Sequence, residues 1–170
     1  SFPTEDSIKA LVSLAKKRRL ETRDVVIGTL LKVAPANPDV IKLMEKYLKD
    51  RSAELRIWAM DAVAESKTVD FGNLVADQLE DSEWPIRFTA AETLRELQDL
   101  RWVEALIGQV QVEKKTRVLK EIGKALHAIT GENPNRSPKM WSKWWSDNRE
   151  TFTRPTSIQG FAPQHSSRKT

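Results

Sequence analysis

Cysteine is absent from the 170-residue chain, which excludes disulfides, thiolate metal sites and cysteine nucleophiles without fixing a compartment. Glycine is scarce, six in all, and none cluster into a phosphate-cradling loop; no Walker, dinucleotide or nucleophile-elbow pattern occurs. Histidine appears twice, as His127 and His165, and neither has a partner at metal-ligand spacing. Zinc sites and histidine triads need such groups converging from several elements, so His127, beside Leu126, reads as a helix-surface residue. No apolar run approaches the about 20 residues of a membrane span. The opening Ser1-Phe2-Pro3 lacks a methionine and a charged-then-apolar leader, so the chain reads as processed or cut from a longer one, and its localisation stays open. Glu92, Glu96 and the group Glu80, Asp81 and Glu83 sit where solvated helix faces and turns place carboxylates. The expectation is a protein that is not an enzyme and uses no metal or cofactor.

A single-sign charge field is also missing. Hydrophobic residues make up 39% and charged residues 31%, the balance of one globular domain with its own core. The net charge of +4 divides into +3 over residues 1–50, −6 over 51–112, +4 over 113–152 and +3 over the tail. A duplex-binding protein presents an uninterrupted basic stripe, and this chain is acidic in its middle.

What the chain does have is a repeat. Asp50-Arg-Ser-Ala-Glu-Leu55-Arg56-Ile-Trp-Ala59-Met-Asp-Ala-Val63 and Asp81-Ser-Glu-Trp-Pro-Ile86-Arg87-Phe-Thr-Ala90-Ala-Glu-Thr-Leu94 align without gaps, 31 residues apart. Each follows a second amphipathic stretch, Ile41-Leu43-Met44-Leu48 and Phe71-Leu74-Val75-Leu79, so the unit is helix, short turn, helix. Weaker copies flank them. Val25, Thr29 and Val33 match Leu55, Ala59 and Val63 at an offset of 30, behind a helix carrying Ile8, Leu11 and Leu14. Val118, Ile122 and Leu126 match Ile86, Ala90 and Leu94 at an offset of 32, behind Leu100, Val103 and Leu106. Four units fill residues 5 to about 130. Pro85 falls in a first helical turn, where a missing N–H costs nothing, and Asp81 and Ser82 are capping residue types.

The pattern D-x4-[LIV]-R-x2-A-x3-[LV] resembles the HEAT-like repeat family, specifically the short bacterial variety related to phycobilisome-lyase repeats. The resemblance implies an all-α, right-handed α-solenoid of about four helical hairpins. It also implies that the Asp caps a turn while the Arg bonds to carboxylates or carbonyls between neighbouring repeats. Those roles fall on Asp50, Arg56, Asp81 and Arg87; Leu20 and Val26 hold the places in the first unit, and Val112 or a neighbour does in the fourth.

Past the stop at Thr130-Gly131 and a polar turn with two prolines, Met140, Trp141, Trp144, Trp145 and Phe152 form a helical stripe behind Ser137-Pro138, its N-cap and first residue. The stripe resembles the terminal cap of some bacterial HEAT-like proteins. The tryptophans read as a cover over the open end, and otherwise as a ligand cage or stacking platform. Residues 1–152 are thus expected to form the repeat domain, with a capping helix at 138–152. Residues 153–170 are expected to be a disordered tail or linker, in which Ile158 and Phe161 could dock on the body or serve a partner. Lys16-Lys17-Arg18-Arg19 closes the first helix, as a solvated basic end or as a contact for phosphate or anionic lipid.

Projected at 100° per residue, Ile57 and Phe88 point away from Leu55 and Ile86, and Ile27 is placed with them by the offset of 30. The row continues into Lys120, flanked by Arg117 and Lys124. On a solenoid whose second helices line the concave side, Ile27, Ile57, Phe88, Arg117, Lys120 and Lys124 form an apolar ridge running into a basic corner. The alternative is that the tail or a neighbouring helix covers them. Three functions follow: a scaffold or adaptor binding a protein or peptide; a nucleic-acid binder, against which the apolar row argues; and a lyase accessory role, which the resemblance alone suggests.

Overall fold

The computed structural model describes residues 3–17 and 20–152. The expected tail at 153–170, with Ile158, Phe161 and His165, lies outside them, as do Arg18 and Arg19. The described residues form nine α-helices, three short 3₁₀ turns and no strand: α1 (Glu5–Lys17), α2 (Leu20–Val33), α3 (Pro38–Leu48), α4 (Ala53–Ser66), α5 (Gly72–Asp77), α6 (Trp84–Leu97), α7 (Val103–Val112), α8 (Thr116–Thr130) and α9 (Pro138–Asn148). None is long and apolar enough to cross a membrane.

Local chemistry starts and stops these helices. Asn37 caps α3 by accepting from the Asp39 amide, Ser52 caps α4 through Leu55, and Ser137 caps α9 through Met140, with Pro38 and Pro138 opening their helices. The cap expected before α6 is different. Asp81 accepts from the Glu83 amide, while Glu83, in the N-cap place, makes no side-chain cap bond. Helices α4, α6 and α8 end at Lys67, Gln98 and Gly131, all left-handed, with φ of 55°, 51° and 79°. Only the glycine adopts that conformation without strain.

Each odd helix packs on the even helix after it, and each even helix touches the next, so α2, α4, α6 and α8 make one row, with α9 set against α7. The core runs along this seam. It takes Leu43, Met44 and Leu48 from α3, Ala59 and Val63 from α4, Ile86, Ala90 and Leu94 from α6, and Val118, Ile122 and Leu126 from α8. These are the positions the repeat assigned to it; Leu55 is only partly buried.

The first unit departs from the expected register. Val25, Thr29 and Val33 are exposed, and Ile27, Leu30 and Leu31 are buried instead. Ile27, Leu30 and Leu31 lie 32 residues before Ala59, Ala62 and Val63, so the true offset is 32, not 30. A slip of two residues turns a helix face through about 200°, which exchanges inside and outside.

Gly72 and Trp102 fix how α5 meets the turn before α7. The Trp102 indole N–H donates to Asn73 Oδ1 at 3.0 Å, and a Cβ at position 72 would lie 1.8 Å from the buried ring. Gly72→Ala is expected to destabilise the protein by about 1–3 kcal/mol through overpacking, read by urea denaturation. A change under about 0.5 kcal/mol, the size of an ordinary surface substitution, would show that the ring gives way freely.

Candidate binding surface

The two repeat arginines are structural. Arg56 Nη1 donates to the carbonyls of Asp50 and Arg51 in its own turn, and Nη2 reaches forward to Asp81 and Glu83, each at 3.1 Å. Arg87 repeats this one unit on. Its Nη1 holds the carbonyls of Asp81 and Ser82, and its Nε and Nη2 hold both oxygens of Glu113 at 2.7 and 3.0 Å. Glu113, 32 residues after Asp81, is the acid of the fourth unit that the sequence pattern missed. It is buried, and it also accepts from the amides of Lys114 and Lys115 and from the Gln109 side chain. The Arg87 guanidinium first, then these donors, hold its carboxyl at about 2 against the opposing effect of burial. Aspartate is shorter: at the equivalent tie Arg56 Nε is buried without a partner among the described residues.

These ties leave the second helices in register, with positions 57, 88 and 120 equivalent, as are 61, 92 and 124. Ile57 and Phe88 are partly buried and packed against the core rather than projecting fully into solvent. Ile27 leaves the expected ridge altogether: it is completely buried, because the 32-residue offset places it with Ala59. The place expected for it goes to Val25, which is 71% exposed. The signal was in the sequence. Ile27, Leu30 and Leu31 make a stronger i, i+3, i+4 apolar set than Val25, Thr29 and Val33.

Along the same face the charge changes sign. Helix α4 presents Glu54, Asp61 and Glu65 beside Ile57, all exposed. Helix α6 is mixed, with Glu92 and Glu96 paired to Arg95 and Glu96 also to Lys67. Helix α8 presents Arg117, Lys120 and Lys124 after Lys114 and Lys115, all exposed. The buried Glu121 is held by Arg95 and Lys124. Lys115, Arg117 and Lys120 have no ion-pair partner among the described residues. Cations in the first turn of α8 oppose its dipole, so they contribute nothing to the helix itself. Beside them the exposed Trp84 shares a depression of about 290 Å³ with Lys115, Thr116 and Arg117. Arg117, Lys120 and Lys124 of the expected basic corner are exposed on α8, and Trp84 was not part of that expectation.

Elsewhere the chemistry is committed to packing. A larger cleft of about 610 Å³ between α5 and α7 is lined by Arg87 and Glu113, already bonded to each other, and by Gly108 and Val112. His127 is exposed, its Nδ1 2.8 Å from the Glu132 carbonyl oxygen. Trp141 and Trp144 are buried, edge to face at 5.8 Å, and Trp144 also meets Trp145 and Phe152. Those two rings are therefore spent on the interior and offer no platform. Comparison with known proteins returns no matching family model and no matching curated sequence.

Proposed function

We propose that the chain is a HEAT-like right-handed α-solenoid, capped by α9, that acts as a non-catalytic adaptor. On this reading it holds a segment of another protein on the concave face of its second helices. The observation that carries the reading is the row formed by Val25, Ile57 and Phe88, apolar in three successive hairpins and continued by cations at α8. Apolar side chains aligned on one face mark an interaction surface more strongly than scattered ones. Recurrent arginine ties between units support the solenoid, because they join each hairpin to the next by one repeated geometry. Nucleic acid fits less well, since a polyanion crossing from α8 would meet Glu54, Asp61 and Glu65.

The test is affinity capture from the native source with the full chain, compared with Ile57→Asp plus Phe88→Asp and with and without nuclease. Partial burial of both side chains makes the double variant cost more than an ordinary surface change, so its fold is checked by circular dichroism at the capture temperature. The expected result is a protein captured in both nuclease arms by the native chain and lost by the folded variant. An interface anchor of this kind is worth about 2 kcal/mol or more. Capture that disappears with nuclease, or that survives the double substitution, removes the proposal.

A further inference from the structure

The sign change along the face bears on what can occupy it. At the equivalent positions 61, 92 and 124 stand Asp, Glu and Lys, and at 57, 88 and 120 stand Ile, Phe and Lys. Helix α4 thus offers acids beside an apolar residue, and α8 offers, beside Trp84, cations with no ion pair among the described residues. A ligand of one charge sign would be attracted at one end and repelled at the other.

We infer that the occupant, on the protein-binding reading above, is a segment of opposite-ended charge. It is basic where it crosses α4, apolar over Ile57 and Phe88, and acidic where it reaches Arg117 and Lys120. Packed helices lie about 8–10 Å apart, so α4 and α8 are separated by about 16–20 Å. An extended chain spans that with about five or six residues, and a short linear segment therefore suffices. The acidic end gains most from Lys115, Arg117 and Lys120, which have no ion pair among the described residues to give up. The basic end has Glu54, Asp61 and Glu65 to meet, of which Glu65 is already 3.7 Å from Lys32 and Asp61 also has a partner of its own.

The experiment measures fluorescence-anisotropy titrations of the full chain with three synthetic peptides of about twelve residues sharing one apolar centre. One carries lysines at one end and glutamates at the other, one carries lysines at both ends, and one carries glutamates at both; oligo(dT) is the fourth probe. The two-signed peptide is expected to bind about tenfold more tightly than either single-signed one. In Lys115→Glu plus Arg117→Glu plus Lys120→Glu the three cations proposed to hold the acidic end are reversed and acids outnumber cations along the face, and the lysine-ended peptide is expected to become the tightest ligand. That inversion cannot come from unfolding, and a glutamate in the first turn of α8 suits the helix dipole. Equal affinities for the three peptides, an unchanged order in the variant, or no saturable binding below about 1 mM would overturn the inference. If charge arrangement proves immaterial while Ile57→Asp plus Phe88→Asp still removes binding, the polarity falls and the adaptor reading stands. If the two-signed peptide binds that variant normally, the ridge itself falls. Tighter binding of oligo(dT) that weakens steeply with salt replaces both with single-stranded nucleic acid.

Discussion

Glu113→Gln is expected to lower the stability of the protein by about 3 kcal/mol at pH 7, because it leaves the Arg87 guanidinium facing a neutral group in a buried place. The bidentate contact at 2.7 and 3.0 Å is the one charged partner that Arg87 finds in the next unit among the described residues, and the same carboxylate also holds the amides of Lys114 and Lys115. Its pH dependence has a definite sign. The folded-state value of about 2 lies below the ordinary carboxylate value of 4.5, so the stabilisation is complete above pH 4.5 and is lost as pH falls towards 2. Urea titrations of native and variant chains should therefore differ most at neutral pH and converge in acid. A difference below about 1 kcal/mol, or one that does not narrow on acidification, would mean that the pair behaves as a surface ion pair.

Trp141→Ala is expected to cost about 3–5 kcal/mol, the range for emptying a buried indole site. The ring is 1% exposed, lies edge-on to Trp144 and sits 5.8 Å from the Arg136 guanidinium. Trp145, partly buried on the same helix, should cost less than half as much. The sequence stripe treats the three tryptophans alike; burial places the largest effect at Trp141. Chemical denaturation of the two alanine variants settles the order, and a loss under about 1 kcal/mol for Trp141 would show that α9 is not held by its tryptophans.

The hairpins, the Ser137 cap of α9 and most of the core were legible because helical periodicity is local, and Leu43, Met44, Ile86, Leu94, Val118 and Ile122 all follow from it. Register between units was harder. Spacing between units cannot be read from one helix's period, and the first unit lies 32 residues before the second rather than the expected 30, which moves Ile27 inside and Val25 out. Glu113 escaped for another reason: the fourth unit's offset of 32 falls on it, but the repeat calls for aspartate there and glutamate breaks the pattern. On the candidate surface, Arg117, Lys120 and Lys124 were found because exposed cations on a helix follow from its period. Trp84 was not, since its proximity to Lys115 and Arg117 depends on how α6 and α8 lie side by side, which no local pattern encodes.

Gly123 bears on how such a molecule can change its length over evolutionary time. It occupies the position held by Met60 in α4 and Ala91 in α6, and a Cβ there would lie 2.4 Å from the Pro134 carbonyl oxygen. Chain backbone thus rests directly on α8, while α9 takes the place beside α7 that the next odd helix would need. A gene duplication that adds a hairpin after α8 must displace both the turn and α9, exposing Trp141 and Trp144 together. Duplication of the α3–α4 or α5–α6 hairpin meets no such obstacle, because each is already bounded by the kind of neighbour it would be copied beside.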